Sequence, residues 1–382
     1  MADASRMTHA APRSGEPGRR AGADVSEREQ KILGIIETAR GKRAKFRDAR
    51  ITMAHGAGGK ATQTLIEGLL VPALAGPELQ ELGDAGIVAA DGLELAFSTD
   101  SYVVKPLRFP GGSIGELAVN GTVNDLAVSG ARPLALSLSL ILEEGLPSDV
   151  LRAEVEAIAS AARVAGVSVV TGDTKVVERG HADGMYICTA GIGQRDPRAR
   201  LSPGALRPGD RILLSGSIGE HGTAIMLARN EFELDAEIES DTQSVWPAVD
   251  ALLEEVGEEL RCLRDATRGG VASVLNELAR ASSVAMIVRE GDIPVSPAVA
   301  GASEILGIDP MYVANEGKFV VFVSGDGADR ALAALRSAPG GEQAAEIGEV
   351  RSEPTGMVLV QTSFGGRRVM DQLVGDPLPR IC

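Results

Sequence analysis

The side chains that could do chemistry in this sequence are acids set beside glycines, and one terminal thiol. Asp84 stands in Leu82-Gly-Asp-Ala-Gly-Ile-Val88, and Asp100 closes Leu93-Glu-Leu-Ala-Phe-Ser-Thr-Asp100. Asp125 ends Asn120-Gly-Thr-Val-Asn-Asp125, and Asp265 lies in Leu263-Arg-Asp-Ala-Thr-Arg-Gly-Gly270. Turns favour Asp for conformational reasons, so one such residue says little. Four of them, near Gly-rich stretches that offer backbone donors, suit a hard cation such as Mg2+ sharing its oxygen shell with a polyphosphate. His55-Gly-Ala-Gly-Gly-Lys60, ahead of a helical period over Thr62–Leu70, presents N–H groups to an anion. The spacing is not that of a P-loop, and a plain flexible loop is the competing reading. The chain ends Asp376-Pro-Leu-Pro-Arg-Ile-Cys382. Its prolines resist helix and sheet, and the segment from Leu373 onward can reach roughly 30 Å. Cys382 on such an arm is a deliverable nucleophile; the alternative is a frayed end with an incidental cysteine.

Alternating helices and strands must position these groups. Ser113-Ile-Gly-Glu116 reads as a capping box opening a helix that stops at Gly130 and Pro133. That helix should be buried, yet it carries Asn120, Asn124 and Asp125, which then need a ligand, a metal or one another. Strands are expected at Leu134–Leu142, Val167–Val170 and Met185–Gly193, with a helix over Ser148–Ala165. Thr171-Gly-Asp173-Thr-Lys175 reads as a turn that sets an acid beside a lysine. Arg195–Gly209 has the Pro/Gly content of an interdomain linker. A second unit follows, with strands at Arg211–Leu214, Val284–Val288, Lys318–Val323 and Gly356–Gln361, and helices at Thr223–Arg229 and Ala328–Ser337. The class is α/β or α+β, in two domains spanning 51–195 and 196–370, with a tail over 371–382.

Composition narrows the function. The chain of 382 residues has net charge −15 and a pI near 4.9, which argues against a binder of nucleic-acid phosphates. Residues 1–50 are the exception, with 12 Lys/Arg against 7 Asp/Glu. Residues 1–24 read as disordered, and Ser26 with Glu29 caps a basic helix to about Arg40. No apolar run is long enough for a membrane span, and no signal sequence is evident. Three cysteines make no disulfide framework, so the reducing cytoplasm is expected. Cys188 sits in an apolar run and reads as an inert core residue.

Taken together, Asp84-Ala-Gly, Ser98-Thr-Asp-Ser101, Asn120–Ala127, Gly172-Asp-Thr-Lys175 and Asp265–Val271 resemble the aminoimidazole ribonucleotide synthetase/selenophosphate synthetase (PurM-like) superfamily. Within it, His55–Lys60, Asn315-Glu-Gly317 and the ending Pro379-Arg-Ile-Cys382 are similar to the HypE carbamoyl dehydratases of [NiFe]-hydrogenase maturation. The resemblance covers residues 51–382. It implies a two-domain PurM-like fold, ATP and Mg2+, a homodimer joined through first-domain sheets, a carbamoyltransferase partner (HypF) that loads Cys382, and a HypC–HypD scaffold that takes the cyanide. By motif it implies Asp84, Asp100, Asp125 and Asp265 at metal and phosphate, with Asn120 and Asp173 as neighbours and Gly58, Gly59 and Lys60 closing over the phosphates. Lys175 and Glu316 match positions beside the reacting thiocarboxamide, where they would take protons from its nitrogen. Lys175 as a phosphate counter-charge and Glu316 as a turn carboxylate are the alternatives. A synthetase acting on a free ligand would not need the terminal Cys. A metal-delivery scaffold would leave the carboxylates unexplained, and a single thiol without His or Cys neighbours is a poor transition-metal site.

Overall fold

The computed structural model describes residues 45–74, 76, 79, 82–229 and 237–373. Cys382, the proline-rich tail and the basic helix expected after Ser26 lie outside the described residues. The described chain falls in one compact unit.

In the first half, β1 (Gly86–Ala90), β2 (Leu93–Tyr102), β5 (Ala131–Glu143), β6 (Ser168–Val177) and β7 (Met185–Arg195) form a sheet in the order β1-β2-β7-β5-β6. Only the β5–β6 pair is parallel. A short ribbon, β3 (Arg108–Phe109) with β4 (Gly112–Ser113), leads into α2 (Ile114–Val128), which follows α1 (Lys60–Leu65) in the chain. Helix α3 (Ser148–Ala165) packs on α2. It ends on Gly166 in the left-handed conformation that a glycine C-cap adopts readily. In the second half the order is β14-β13-β10-β12-β8-β11-β9. These strands are β8 (Arg211–Leu214), β9 (Leu260–Asp265), β10 (Ala285–Arg289), β11 (Phe319–Val323), β12 (Ala345–Arg351), β13 (Val358–Gln361) and β14 (Arg367–Met370). Helices α4 (Glu220–Ala228), α5 (Trp246–Val256), α6 (Gly270–Ala281), α7 (Pro297–Leu306) and α8 (Ala328–Ser337) cover it. No helix among the described residues is long and apolar enough to cross a membrane.

Helix α2 is the joint. It is buried almost all round, from Ile114 to Val128, and its apolar residues serve two cores. Ile114, Leu117 and Val123 pack in the core of the first half, together with Ile225 and Ala314 from the second. Ala127 and Val128 pack with Leu213, Val249 and Phe319 of the second half. The buried Asn residues on α2 meet the second half as well. Asn124 donates from Nδ2 to the carbonyls of Gln243 (2.9 Å) and Glu316 (3.0 Å), and its Oδ1 accepts the Val245 N–H at 2.8 Å. Asn120 donates to the Thr242 hydroxyl at 3.2 Å. These hydrogen bonds partner both Asn side chains with protein groups across the joint.

Four local expectations are corrected. Ser113 occupies the N-cap of α2, but its side chain makes no capping hydrogen bond and its Oγ is buried without a partner. The buried carboxylate of Glu154 on α3 accepts the Gly115 N–H at 3.1 Å instead, and Arg108 neutralises it at 2.8 Å. A charged acceptor at a helix N-terminus also meets the helix dipole favourably. Thr171–Lys175 is not a turn; β6 runs through it to Val177. Gly172 is there for close approach, because a Cβ would sit 2.3 Å from the Leu138 carbonyl on β5. Asp265, read as a turn acid, is the last residue of β9, and Asp100 lies inside β2, which continues to Tyr102.

Candidate active site

Strand register sends neighbouring residues of β2 to opposite faces of the first sheet. Ala96, Ser98 and Tyr102 are buried and share the face of Asp100, which packs toward α2. Asp125 projects from α2 into the same region and accepts a short hydrogen bond from the Ser98 hydroxyl. Asp84 arrives on the bend before β1, and Asp265 at the end of β9. The carboxylates of Asp84, Asp125 and Asp265 bring one oxygen each within 4.8 Å of one another. Asp100 is held beside them: Tyr102 Oη donates to its Oδ2 at 3.0 Å, and Arg268 stands 3.9 Å from its Oδ1.

The electrostatics of this cluster are lopsided. At an effective dielectric near 20, each pair of unit charges at such separations repels by about 3–4 kcal/mol. Among the described residues Arg264 pairs with the trio at Asp84, its Nε meeting Asp84 Oδ1 at 2.8 Å while its other nitrogens go to the Leu82 carbonyl and Glu277. Burial outweighs that help and pushes the Asp84 carboxyl up to about 6. Burial, then repulsion from Asp265, drives Asp125 well above the usual carboxylate range; burial, then repulsion from Asp84, does the same to Asp265. Asp100 is raised mainly by burial, against the opposing pull of Arg268. Three crowded acids, of which Asp84 carries the arginine ion pair, are a poor stabilising arrangement for a protein alone. Their all-oxygen donor set fits a hard divalent cation, which removes both the repulsion and the desolvation cost.

Glu316 completes the picture from the second half. It is buried in the turn Asn315-Glu-Gly317 that leads into β11. Burial first, then the fields of Asp265, Asp100 and Asp241, raise its carboxyl well above the usual range. Asn315 fixes the turn by accepting the Gly219 N–H at 2.7 Å and donating to the Ala266 and Val313 carbonyls.

The structure therefore gathers Asp84, Asp100, Asp125, Asp265 and Glu316 at the joint, with Asn120 on the same helix as Asp125. It does not bring Asp173 and Lys175 there. Asp173 pairs in register with Ser139, and Lys175 with Ile141, on the sheet face opposite Asp100. Their side chains are exposed and bond each other at 2.6 Å. Gly58, Gly59 and Lys60 sit beside the root of the tail. Lys60 N–H donates to the Leu373 carbonyl at 3.1 Å, its Nζ pairs with Asp371 at 2.8 Å, and the Gly58 carbonyl accepts from Ser273 Oγ at 3.2 Å. Sequence reasoning missed Arg264, Tyr102 and Glu277. Arg264 stands inside the quoted Asp265 motif; Tyr102, two residues beyond Asp100, was marked by the period of the strand.

The two halves match two family models in succession: AIR synthase related protein, N-terminal domain, over residues 82–194, and its C-terminal domain over residues 207–361. This two-domain α/β fold with an acid cluster at the joint is PurM-like. The carbamoyl dehydratase HypE of Rhodobacter capsulatus is 47% identical over 341 residues, which span 88% of this chain and 99% of that protein. A crystal structure of a HypE–HypF complex contains a chain 43% identical, with TM-score 0.77, covering 81% of this chain and 99% of that one. A structure of the hydrogenase maturation protein HypE in complex with ATP is 45% identical, with TM-score 0.73, covering 87% of this chain and 100% of that one. The chain belongs to the HypE carbamoyl dehydratase family, which acts in hydrogenase maturation.

Proposed function

We propose that this chain is an ATP-dependent carbamoyl dehydratase whose substrate is a carbamoyl group carried on its own Cys382. The observation that carries the reading is the largely buried acid cluster of Asp84, Asp125 and Asp265 beside the Glu316 turn, which suits a metal–polyphosphate next to a group able to take a proton. A carbamoyltransferase of the HypF type loads Cys382 as a thiocarboxamide. The amide oxygen is a poor leaving group, so ATP phosphorylates it while one N–H proton leaves to a base, giving ADP and an O-phosphorylated imidate. Loss of that oxygen as phosphate, with the remaining proton leaving nitrogen, forms the thiocyanate. Transfer of the cyanide to iron on a HypC–HypD scaffold then breaks the S–C bond and frees the Cys382 thiolate, a step that takes two electrons from the scaffold side.

Asp84, Asp125 and Asp265, with Asp100 beside them, would hold Mg2+, which when bound supplies charge neutralisation to the phosphates. Glu316 faces this cluster and takes a proton from the thiocarboxamide nitrogen. Its raised affinity for protons makes it a stronger base than an exposed carboxylate. Burial of the joint excludes the water that would hydrolyse a phosphorylated intermediate.

Lys175 enters through a second copy. The outer face of the first sheet exposes Val88, Phe97 and Ile192, which follow one another across β1, β2 and β7, with Ile141 on β5. An apolar face of this kind suits another protein surface, and a homodimer through it would set Lys175 and Asp173 at the interface, where Lys175 serves the site of the partner copy. Gly58–Lys60 close over the phosphates once Lys60 leaves Asp371.

Intact-mass measurement tests the reading. The full-length protein is incubated with HypF, carbamoyl phosphate and Mg-ATP, alongside Cys382→Ala. One carbamoyl gained and one water then lost, both absent in the variant, is the expected result. Steady ATP turnover with Cys382 unmodified would overturn it in favour of a diffusible substrate.

A further inference from the structure

The turn that carries Glu316 is gripped from a segment that belongs to neither sheet. Residues 237–245 have no helix or strand and pass between the β3–β4 ribbon and the turn. Ser240 anchors the segment to the first half by donating its N–H to the Pro110 carbonyl at 2.8 Å, and its hydroxyl bonds His221 Nδ1 at 2.8 Å. The next residue, Asp241, accepts the Glu316 N–H on Oδ1 at 3.0 Å and the Gly317 N–H on Oδ2 at 3.3 Å. The carbonyl side of the turn is held as well, with Asn124 donating to the Glu316 carbonyl and Gln243 to that of Gly317. The fit leaves no slack, since a Cβ on residue 317 would lie 1.9 Å from the Asp241 carbonyl.

A carboxylate so enclosed is costly unless partnered. Asp241 has the two amides and the attraction of Lys318, whose buried ammonium faces it across a polar cleft of about 340 Å³ lined also by Ser217, Thr242 and Gln343. Fixing two successive amides fixes the peptide planes on both sides of the Glu316 Cα. With those planes set, the direction of its Cβ is set too, and so is the approach of its carboxyl to the acid cluster. The reach is long range, 75 residues in sequence, and it ties the first half, through Pro110 and Asn124, to the acid carried on the Asn315–Gly317 turn.

We propose that Asp241 is a positioning residue for Glu316, holding its carboxyl in register with the carbamoyl nitrogen delivered on Cys382. The inference rests on the dehydratase reading above. A misplacement of the order of 1 Å costs about a hundredfold in rate, so Asp241→Ala should slow the water-loss step by about ten- to a hundredfold. ATP affinity and the rate of carbamoyl loading should stay within about twofold, because Asp241 is outside the acid cluster. Asp241→Asn keeps the volume and one acceptor oxygen but turns its NH2 toward the other amide, so it should restore part of the rate and remain severalfold slower than wild type.

The test is single turnover on the full-length, carbamoylated protein mixed with Mg-ATP, read by intact mass, with ATP binding and melting temperature measured on the same samples. Water loss at the wild-type rate in Asp241→Ala overturns the proposal. So does a loss of rate that appears only together with equal losses of ATP affinity and melting temperature and is not restored by Asp241→Asn, since that is scaffolding. Should Asp241→Ala fail to fold, Asp241→Asn carries the test, with a severalfold slowing at unchanged ATP affinity expected and an unchanged rate overturning it. Absence of water loss in the wild type sinks the dehydratase reading itself, and this inference with it; a wild type that dehydrates separates the two failures.

Discussion

The two faces of the first sheet carry the same kinds of residue to opposite ends. On the inner face, Asp100 is crowded against Asp84, Asp125 and Asp265, and burial raises every one of these acids. On the outer face, Asp173 is fully exposed, and its hydrogen bonds from Lys175 and from the Thr174 N–H lower it. The acids have one model-compound affinity for protons; what differs is solvent and the sign of the nearest charge. The inner set is destabilising until something with positive charge arrives, whereas the outer pair is satisfied already. A site is thus marked by what its residues lack.

The largest effect should come from breaking the inner set. Asp125→Ala or Asp265→Ala should lower ATP turnover by about a hundredfold or more, the scale of losing a preorganised stabiliser of developing charge. Steady-state ADP release checks this, and Asp173→Ala, on the other face, is the contrast. A deficit in Asp173→Ala as large as that in Asp125→Ala would erase the distinction between the faces within a single chain.

Next comes the outer face as a contact surface. Phe97→Asp places a charge among exposed apolar residues on the sheet face opposite the cluster. In the homodimer reading it should convert the protein to monomer by light scattering and leave the melting temperature of the monomer nearly unchanged. A wild type that is already monomeric at working concentration would end that reading, and with it the route by which Lys175 reaches a site.

The pH dependence of stability sharpens the same contrast. Asp84 has a folded affinity near pH 6 against an ordinary value of 3.8, so the folded state binds more protons between those limits. Stability contributed by this group therefore falls as pH rises through the window, and metal-free protein should melt higher near pH 5 than near pH 7 on its account. Mg2+ needs the ionised ligands, so its stabilisation should be greater at pH 7–8 than at pH 5. Calorimetry with and without Mg2+ reads both, and Asp84→Asn should flatten the difference. An equal Mg2+ effect at the two pH values would detach the cation from these acids.

Much of the candidate site was legible because each acid that the structure gathers carried a separate local signal. Asp84 sat between glycines, Asp125 broke the apolar pattern of a helix that had to be buried, and Asp265 preceded a Gly-Gly helix start. What stayed hidden depends on tertiary pairing. Gly172 beside Asp173 looked like a turn, but close approach of β5 required it, and only register shows that Lys175 faces away from Asp100. Glu154 replaced Ser113 as the cap of α2 from another helix, and Asp241 reached Glu316 from a segment without periodicity. Such partners leave no trace in local sequence, because spacing along the chain does not encode them.

The smallest effect is expected where the Gly-rich loop meets the root of the tail. Lys60 and Asp371 are both close to half exposed, so their ion pair should contribute under about 1 kcal/mol. A double-mutant cycle with Lys60→Met and Asp371→Asn, followed by thermal melting, should give a coupling within that limit. The functional consequence runs the other way from the stability one. If Lys60 serves the phosphates, Lys60→Met should weaken ATP binding, whereas Asp371→Asn should strengthen it slightly by removing the competing carboxylate. Weaker binding in both variants would mean that the ion pair itself, and not the freed lysine, supports the nucleotide.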